Sequence, residues 1–284
     1  MSERASDVEA RIGTVRQLSV VITAMRGIAA ARSREARGRL EGIRAHAAII
    51  ARAIGGALVH LPAPDRPGGD GPPKGGHVVV AFCAEQGFAG VFNERVLDAA
   101  IAAMPPARSE LFVLGDRGLM VAAQRGLDPA WSAPMIGHVD QAVALADRIV
   151  EALYERLRAG RVSEVTVIHA VPNSGAALHV VEKRLVPFDF ARFPATVARG
   201  EPLLTLPAPV LLARLAEEYV FAEVCEAITL SFAAENEARM RAMIAAKTNV
   251  AATLEDLVSR SRRLRQEEIT NEIIELAGGA SSAG

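Results

Sequence analysis

Two glycine pairs invite a search for phosphate chemistry: Gly75-Gly76, and the ends of Gly115-Asp116-Arg117-Gly118. A third stretch, Glu85-Gln86-Gly87-Phe88-Ala89-Gly90, sets an acid beside two glycines. Phosphate loops work because successive backbone N–H groups converge on an anion at the start of a helix. That geometry has a fixed spacing, and neither G-x-x-x-x-G-K-[ST] nor G-x-G-x-x-G occurs. The glycines read as turns that need a positive φ. His46, His60, His77, His138, His169 and His179 are scattered. His169, at the end of an apolar run, is the best-placed base, but no serine or cysteine nucleophile motif accompanies it. Asp116 reads as a turn residue. Cys83 and Cys225 lie far apart, outside any C-x-x-C or Cys/His spacing, which excludes a disulfide scaffold and a zinc motif. No catalytic, metal or cofactor constellation emerges.

Composition narrows the partners. A net charge of −1 over 284 residues gives no electrostatic reason to expect nucleic acid. Half of the residues are hydrophobic and the mean hydropathy is +0.20, which suits a folded core. The first residues are polar, with no secretory signal pattern. The most apolar stretch, 45–61, is interrupted by Arg52, and a membrane span needs about 20 nearly uncharged residues. The expected setting is therefore soluble and cytoplasmic.

The elements that must position these residues are marked off by proline. All 15 prolines lie between Pro62 and Pro209, leaving 61 residues before them and 75 after them without one. Residues 1–61 carry Val8, Ile12, Val15, Leu18, Ile22, Met25 and Ala29 at coiled-coil spacing, and the stripe resumes at Leu40, Ile43, Ala47, Ile50, Ile54 and Ala57. Ser6-Asp7 offers an N-cap. Some 50 helical residues would span about 75 Å.

Residues 210–277 lack glycine as well, with a stripe of Met240, Met243, Lys247, Val250, Leu254, Leu257, Ser261 and Leu264, and Gly278-Gly279 as the expected stop. Either helix alone would expose its seam, so the two are expected to pair antiparallel. Residues 1–61 carry an excess of five positive charges and 210–284 an excess of four negative ones, a weak mutual attraction.

The middle, 62–209, follows α/β grammar. A Pro/Gly-rich linker runs from Pro62 to Gly76. Strands are expected at 77–83, 111–114 and 164–170, with an edge strand at 178–185 closing at Pro187. Helices are expected at 92–104, 119–125 and 140–159. The expected fold is α/β: a long antiparallel coiled coil of N- and C-terminal helices with an inserted small, mostly parallel, Rossmann-like α/β domain. The expected divisions are 1–61, 62–209 and 210–284.

Three motifs carry a family resemblance. Near the start stands Ile22-Thr-Ala-Met25-Arg26-Gly-Ile-Ala-Ala-Ala-Arg-Ser-Arg34. Near the end stand Ala238-Arg239-Met-Arg-Ala-Met243 and Arg265-Gln266-Glu-Glu-Ile-Thr270-Asn-Glu-Ile-Ile-Glu-Leu-Ala-Gly-Gly-Ala280. In the middle, Glu85-Gln86-Gly87-Phe88-Ala89-Gly90-Val91-Phe92-Asn93 is similar to a D-R-G-L-C/A-G-x-x-N signature, with the Asp-Arg pair replaced. Together these resemble the gamma subunit of F-type rotary ATP synthases. They look like a divergent branch, of the kind that includes the second-type F-type ATPase some bacteria carry beside their main enzyme.

The resemblance implies a non-catalytic central-stalk rotor. Such a rotor transmits rotation between a membrane c ring and a catalytic hexamer of alpha and beta subunits, coupling ion transport to ATP synthesis or hydrolysis, with the epsilon subunit as a further partner. It implies rotor contacts with alpha and beta at Met25, Arg26, Arg34, Arg239, Gln266 and Thr270, and a foot-domain motif at Gly87, Gly90 and Asn93. It implies no cofactor, no direct membrane span, and a peripheral location on the cytoplasmic side of the bacterial plasma membrane. Arg37, Arg39 and Arg44 read either as further contacts to acidic loops or as a solvated helix face. The rival readings are a non-rotary coiled-coil scaffold presenting an α/β domain, and an enzyme with its site within 77–190.

Overall fold

The computed structural model describes residues 5–61, 75–106, 108–173, 175, 178–193 and 204–281. Most of the expected proline-rich linker, 62–74, lies outside them. Chain order is α1 (Ala5–Leu58), β1 (Gly76–Phe82), α2 (Phe92–Ala103), β2 (Ser109–Leu114), α3 (Asp116–Gln124), β3 (Trp131–Ala133), α4 (Ala142–Arg158), β4 (Val162–Val171), β5 (His179–Val186) and α5 (Ala208–Ser281).

The five strands form one sheet in the order β3-β2-β1-β4-β5, parallel except for β5, which runs antiparallel along the edge beside β4. Every residue of β1 is buried, because parallel strands are covered on both faces. Val78, Val80 and Phe82 point to one face, where Leu145, Ile149 and Leu153 of α4 pack together with Val224, Ile228 and Phe232 of α5 and Ala36 of α1. Val79, Ala81 and Cys83 point to the other, against Phe92, Val96 and Leu97 of α2 and Ala122 of α3. Each fully buried side chain of this size contributes about 1.5–3 kcal/mol.

Packing divides the chain into two units. One holds 29–239, with the sheet and the stretches of α1 and α5 that cover it. There Arg37 pairs with Glu237, Arg44 with Glu226 and His46 with Glu218, so rising numbers on α1 meet falling numbers on α5 and the two run antiparallel. A separate cluster joins Ile50, Ile54 and Leu58 of α1 to Leu212 and Ala222 of α5 and to Phe193. The other unit holds 1–28 and 240–284. In it Val8 and Ile12 pack on Leu257, with Val15, Leu254 and Leu264 half-buried around them, and Arg265 pairs with Glu9. This pairing too is antiparallel.

Several expectations need correction. Ser6-Asp7 does not cap α1: the helix already includes Ala5, and Asp7 lies in its first turn, where a negative charge suits the helix dipole. Helix α5 runs through Gly278-Gly279 to Ser281, because glycine permits a left-handed stop without compelling one. Leu18, expected on the seam, is half exposed. Helix α3 begins at Asp116 rather than Leu119, and β3 was not anticipated. Positive φ explains Gly115 (+94°), but Gly118 has a different cause. A Cβ there would sit 2.0 Å from Cys83 Cβ, so α3 can lie against the end of β1 only without a side chain.

Candidate functional site: the joint between sheet and helix α5

At the carboxyl end of the sheet, α5 presents Ser231, Glu235 and Arg239, spaced four apart and therefore on one helical face. Ser231 Oγ donates to the carbonyl of Phe82, the last residue of β1, at 2.9 Å. Arg239 is 5% exposed, and its guanidinium is occupied within the chain. Nη2 donates to Glu235 Oε1 at 2.5 Å and to Gln86 O at 3.1 Å. Nη1 reaches Asn236 Oδ1 at 3.0 Å, and Nε reaches Gly87 O at 3.1 Å. Charge-assisted bonds of this kind are roughly twice as strong as neutral ones. Burial pushes the Glu235 carboxyl above the usual carboxylate range, while Arg239 and the Glu85 and Gln86 amides pull it back.

The loop that Arg239 grips, 85–91, is fixed from its other side too. Asn93 Oδ1 accepts from the Ala84 amide at 2.8 Å, folding the loop back over the start of α2. Glu85 Oε2 accepts from the amides of Asp116 (3.2 Å) and Met135 (2.7 Å), tying β1 to the start of α3 and the residues after β3. Glu85 and Gln86 thus have distinct local roles. Glu85 uses its side chain to join strand ends, whereas Gln86 is used through its carbonyl. Gly90 takes a φ of +62°, and Phe88, with φ +64° and 67% exposed, stands outward at the loop tip beside exposed Val91. Glu237 adds a last tie, accepting from the Asn173 amide at 3.1 Å as well as pairing with Arg37.

Of the residues singled out from sequence, the structure brings Arg239 and Gly87 into direct contact and sets Gly90 and Asn93 in the same loop. Arg34 is exposed on α1. In the other unit Met25 is half-buried, while Arg26, Gln266 and Thr270 are exposed, with Thr270 Oγ1 donating to Gln266 O at 2.7 Å. Arg37, Arg39 and Arg44 meet the chain's own Glu237, Asp140 and Glu226. Glu223, Ser231, Glu235 and Asn236 were missed. Their signal was present: polar residues recurring on the apolar face of a helix are buried only when paired.

The histidines fall outside this joint. His169 is buried in β4 with Nδ1 3.3 Å from Ala170 O, and His77 Nε2 lies 2.9 Å from Thr166 Oγ1 between β1 and β4. Burial lowers the pKa of both. Burial also raises both cysteine thiols, that of Cys225 to about 12, so neither is an activated nucleophile. Among the described residues no group of three or more His, Cys, Asp or Glu could hold a metal ion, and no helix is long and apolar enough to cross a membrane.

Long terminal helices, a mostly parallel five-stranded sheet, and polar side chains used to fix one element on another define a protein of mixed α/β class. The ATP synthase family model matches residues 4–283. A gamma chain from Frankia casuarinae is 28% identical over 301 residues, covering 99% of this chain and 98% of that one. One from Gluconacetobacter diazotrophicus is 29% identical over 296 residues, covering 97% and 98%. Among solved structures, a rotor chain of the Euglena gracilis mitochondrial ATP synthase superposes with a TM-score of 0.65 at 11% identity, covering 93% of this chain and 98% of that one. A central-stalk chain of the Tetrahymena thermophila enzyme gives 0.56 at 18%, covering 80% and 99%. The chain belongs to the ATP synthase gamma chain family, whose members are non-catalytic rotor subunits.

Proposed function

We propose that this chain turns inside a bacterial F-type complex, carrying rotation between a c ring and a hexamer of alpha and beta subunits, with epsilon beside its foot. Residues 1–61 and 210–284 form the shaft in this reading, and 62–209 the foot. Met25, Arg26, Arg34, Gln266 and Thr270 are its contacts with the hexamer. Arg239 serves that contact at second hand, by holding the 85–91 loop with Gly87, Gly90 and Asn93 in a fixed pose. The complex sits on the cytoplasmic side of the plasma membrane, with this subunit peripheral to it.

The observation that carries the reading is surface chemistry combined with a full-length family match. Leu18, Val20, Val21 and Ile28 on α1 are about half or more exposed, as are Ile244, Ile269, Ile273 and Ile274 on α5. Exposed apolar side chains are the material of an association surface, and side chains without fixed ion pairs suit a face that must slide. The test is purification of the native complex from membranes, followed by single-molecule observation of a probe attached to this subunit. Copurification with alpha and beta and ATP-driven rotation are expected. Recovery without either subunit would overturn the reading.

A further inference from the structure

Away from the Arg239 joint, α5 buries a second carboxylate. Glu223 is 5% exposed, and two cations from different places converge on it. The Lys183 ammonium comes from β5, the edge strand, and forms an ion pair with it. The Arg192 guanidinium comes from the turn after β5, at 3.5 Å. Tyr219 lies one turn earlier on α5, where burial and then the Glu223 charge push its hydroxyl pKa up to about 12. Arg192 also stands 5.9 Å over the Tyr219 ring and 6.0 Å over Phe193, and Phe193 stacks on Phe188 at 5.4 Å.

We propose that Glu223 is a positioning residue for torque transfer: it fixes the register of the edge strand β5 and the 190–192 turn against α5, so that load on the foot turns the shaft without slip. The proposal rests on the rotor reading. The rest of this contact is apolar, through Val220, Val224, Ile228 and Leu185, and apolar contact is non-directional. It resists separation but sets little cost on sliding by a fraction of a residue. A buried carboxylate gripped by two cations from separate segments has one arrangement, and leaving it exposes an unpaired charge to an apolar interior. Registry of this kind is the best-attested use of buried ion pairs.

The test separates registry from plain stability. Removing one partner of a buried pair is costly, whereas replacing both with apolar groups of similar size is close to neutral. In the assembled complex, Lys183→Met should therefore reduce the recovery of intact subunit, and Glu223→Leu with Lys183→Met should restore it. ATP-driven ion pumping in membrane vesicles and ATP hydrolysis are then measured on the same preparation. The double variant is expected to hydrolyse ATP as the wild type does while pumping at least about twofold fewer ions per ATP, because register rather than fold is lost. Lys183→Arg, which keeps the charge, is expected to retain coupling. Arg192→Gln, at a half-exposed position that folding tolerates, should give a partial loss. Wild-type coupling in both the double variant and Arg192→Gln would overturn the proposal. A wild-type complex that hydrolyses ATP but pumps nothing would instead overturn the rotor reading.

Discussion

Replacing Arg239 with methionine keeps most of the side chain's apolar stem and removes the guanidinium, so its effect can be worked from the four contacts above. Glu235 Oε1, Asn236 Oδ1 and the carbonyls of Gln86 and Gly87 each lose a donor, and the Glu235 carboxylate is left buried without its cation. Breaking a buried pair from one side costs about 3–5 kcal/mol. At roughly 2–4 °C per kcal/mol for a unit of this size, the midpoint of thermal unfolding should fall by on the order of 10 °C. The penalty should also depend on pH in a set direction. The Glu235 carboxyl is already raised by burial, and without Arg239 it rises further, so the folded variant holds a proton that the unfolded chain has released. Each pH unit above the unfolded value then costs about 1.4 kcal/mol until the folded value is reached, and acidification relieves it. Chemical unfolding of wild type and variant across the acid-to-neutral range measures both quantities, and hydrogen exchange at 85–91 reports whether the loop is released. The companion variant Glu235→Leu with Arg239→Met should recover most of the loss. A cost below about 1 kcal/mol at neutral pH, the range of an exposed pair, would refute the buried joint.

Two further outcomes follow from packing and from titration. Gly118→Ala should destabilise by about 3 kcal/mol or more, since its new methyl meets Cys83 in the overpacked sense. Gly27→Ala, helical with open space around it, should stabilise by roughly 0.5–1 kcal/mol. Denaturant unfolding of both variants checks the pair, and equal effects would contradict the structure. His169 is held neutral by burial, with its pKa lowered in the fold. The unfolded chain binds that proton below about pH 6.5 and the folded chain does not, so stability is lost as pH falls through that window. Comparing His169→Gln with wild type from neutral pH downward should show a shallower loss in the variant, and parallel curves would exclude the histidine as the source.

How much of this could be seen in the sequence depended on how local the cause was. Strands β1, β2 and β4 were visible because burial on both faces makes them continuous apolar runs, such as His77-Val-Val-Val-Ala-Phe. Strand β3 was not, because three residues between Pro129 and Pro134 carry no periodicity. The start of α3 was hidden by Gly118, read as a turn when its lack of a side chain serves packing against Cys83. Arg239 and Gly87 were both singled out, yet nothing in the sequence said that they touch, since 152 residues separate them. Glu223 and Glu235 were passed over for the same reason: an acid on an apolar face looks like an imperfection until its cation arrives from elsewhere in the fold.

The cover of the sheet carries a consequence for how the chain is made. One face of β1, with Val78, Val80 and Phe82, is closed by Val224, Ile228 and Phe232, residues synthesised about 150 positions later at roughly 5–20 residues per second. Until α5 emerges that face is covered only in part, by Leu145, Ile149 and Leu153 of α4, and Ile50, Ile54 and Leu58 of α1 wait for Leu212 and Ala222. The core is therefore completed only when the last helix joins it. A chain released before α5 carries all five strands with part of that apolar face uncovered, so the last quarter of the message bears directly on solubility.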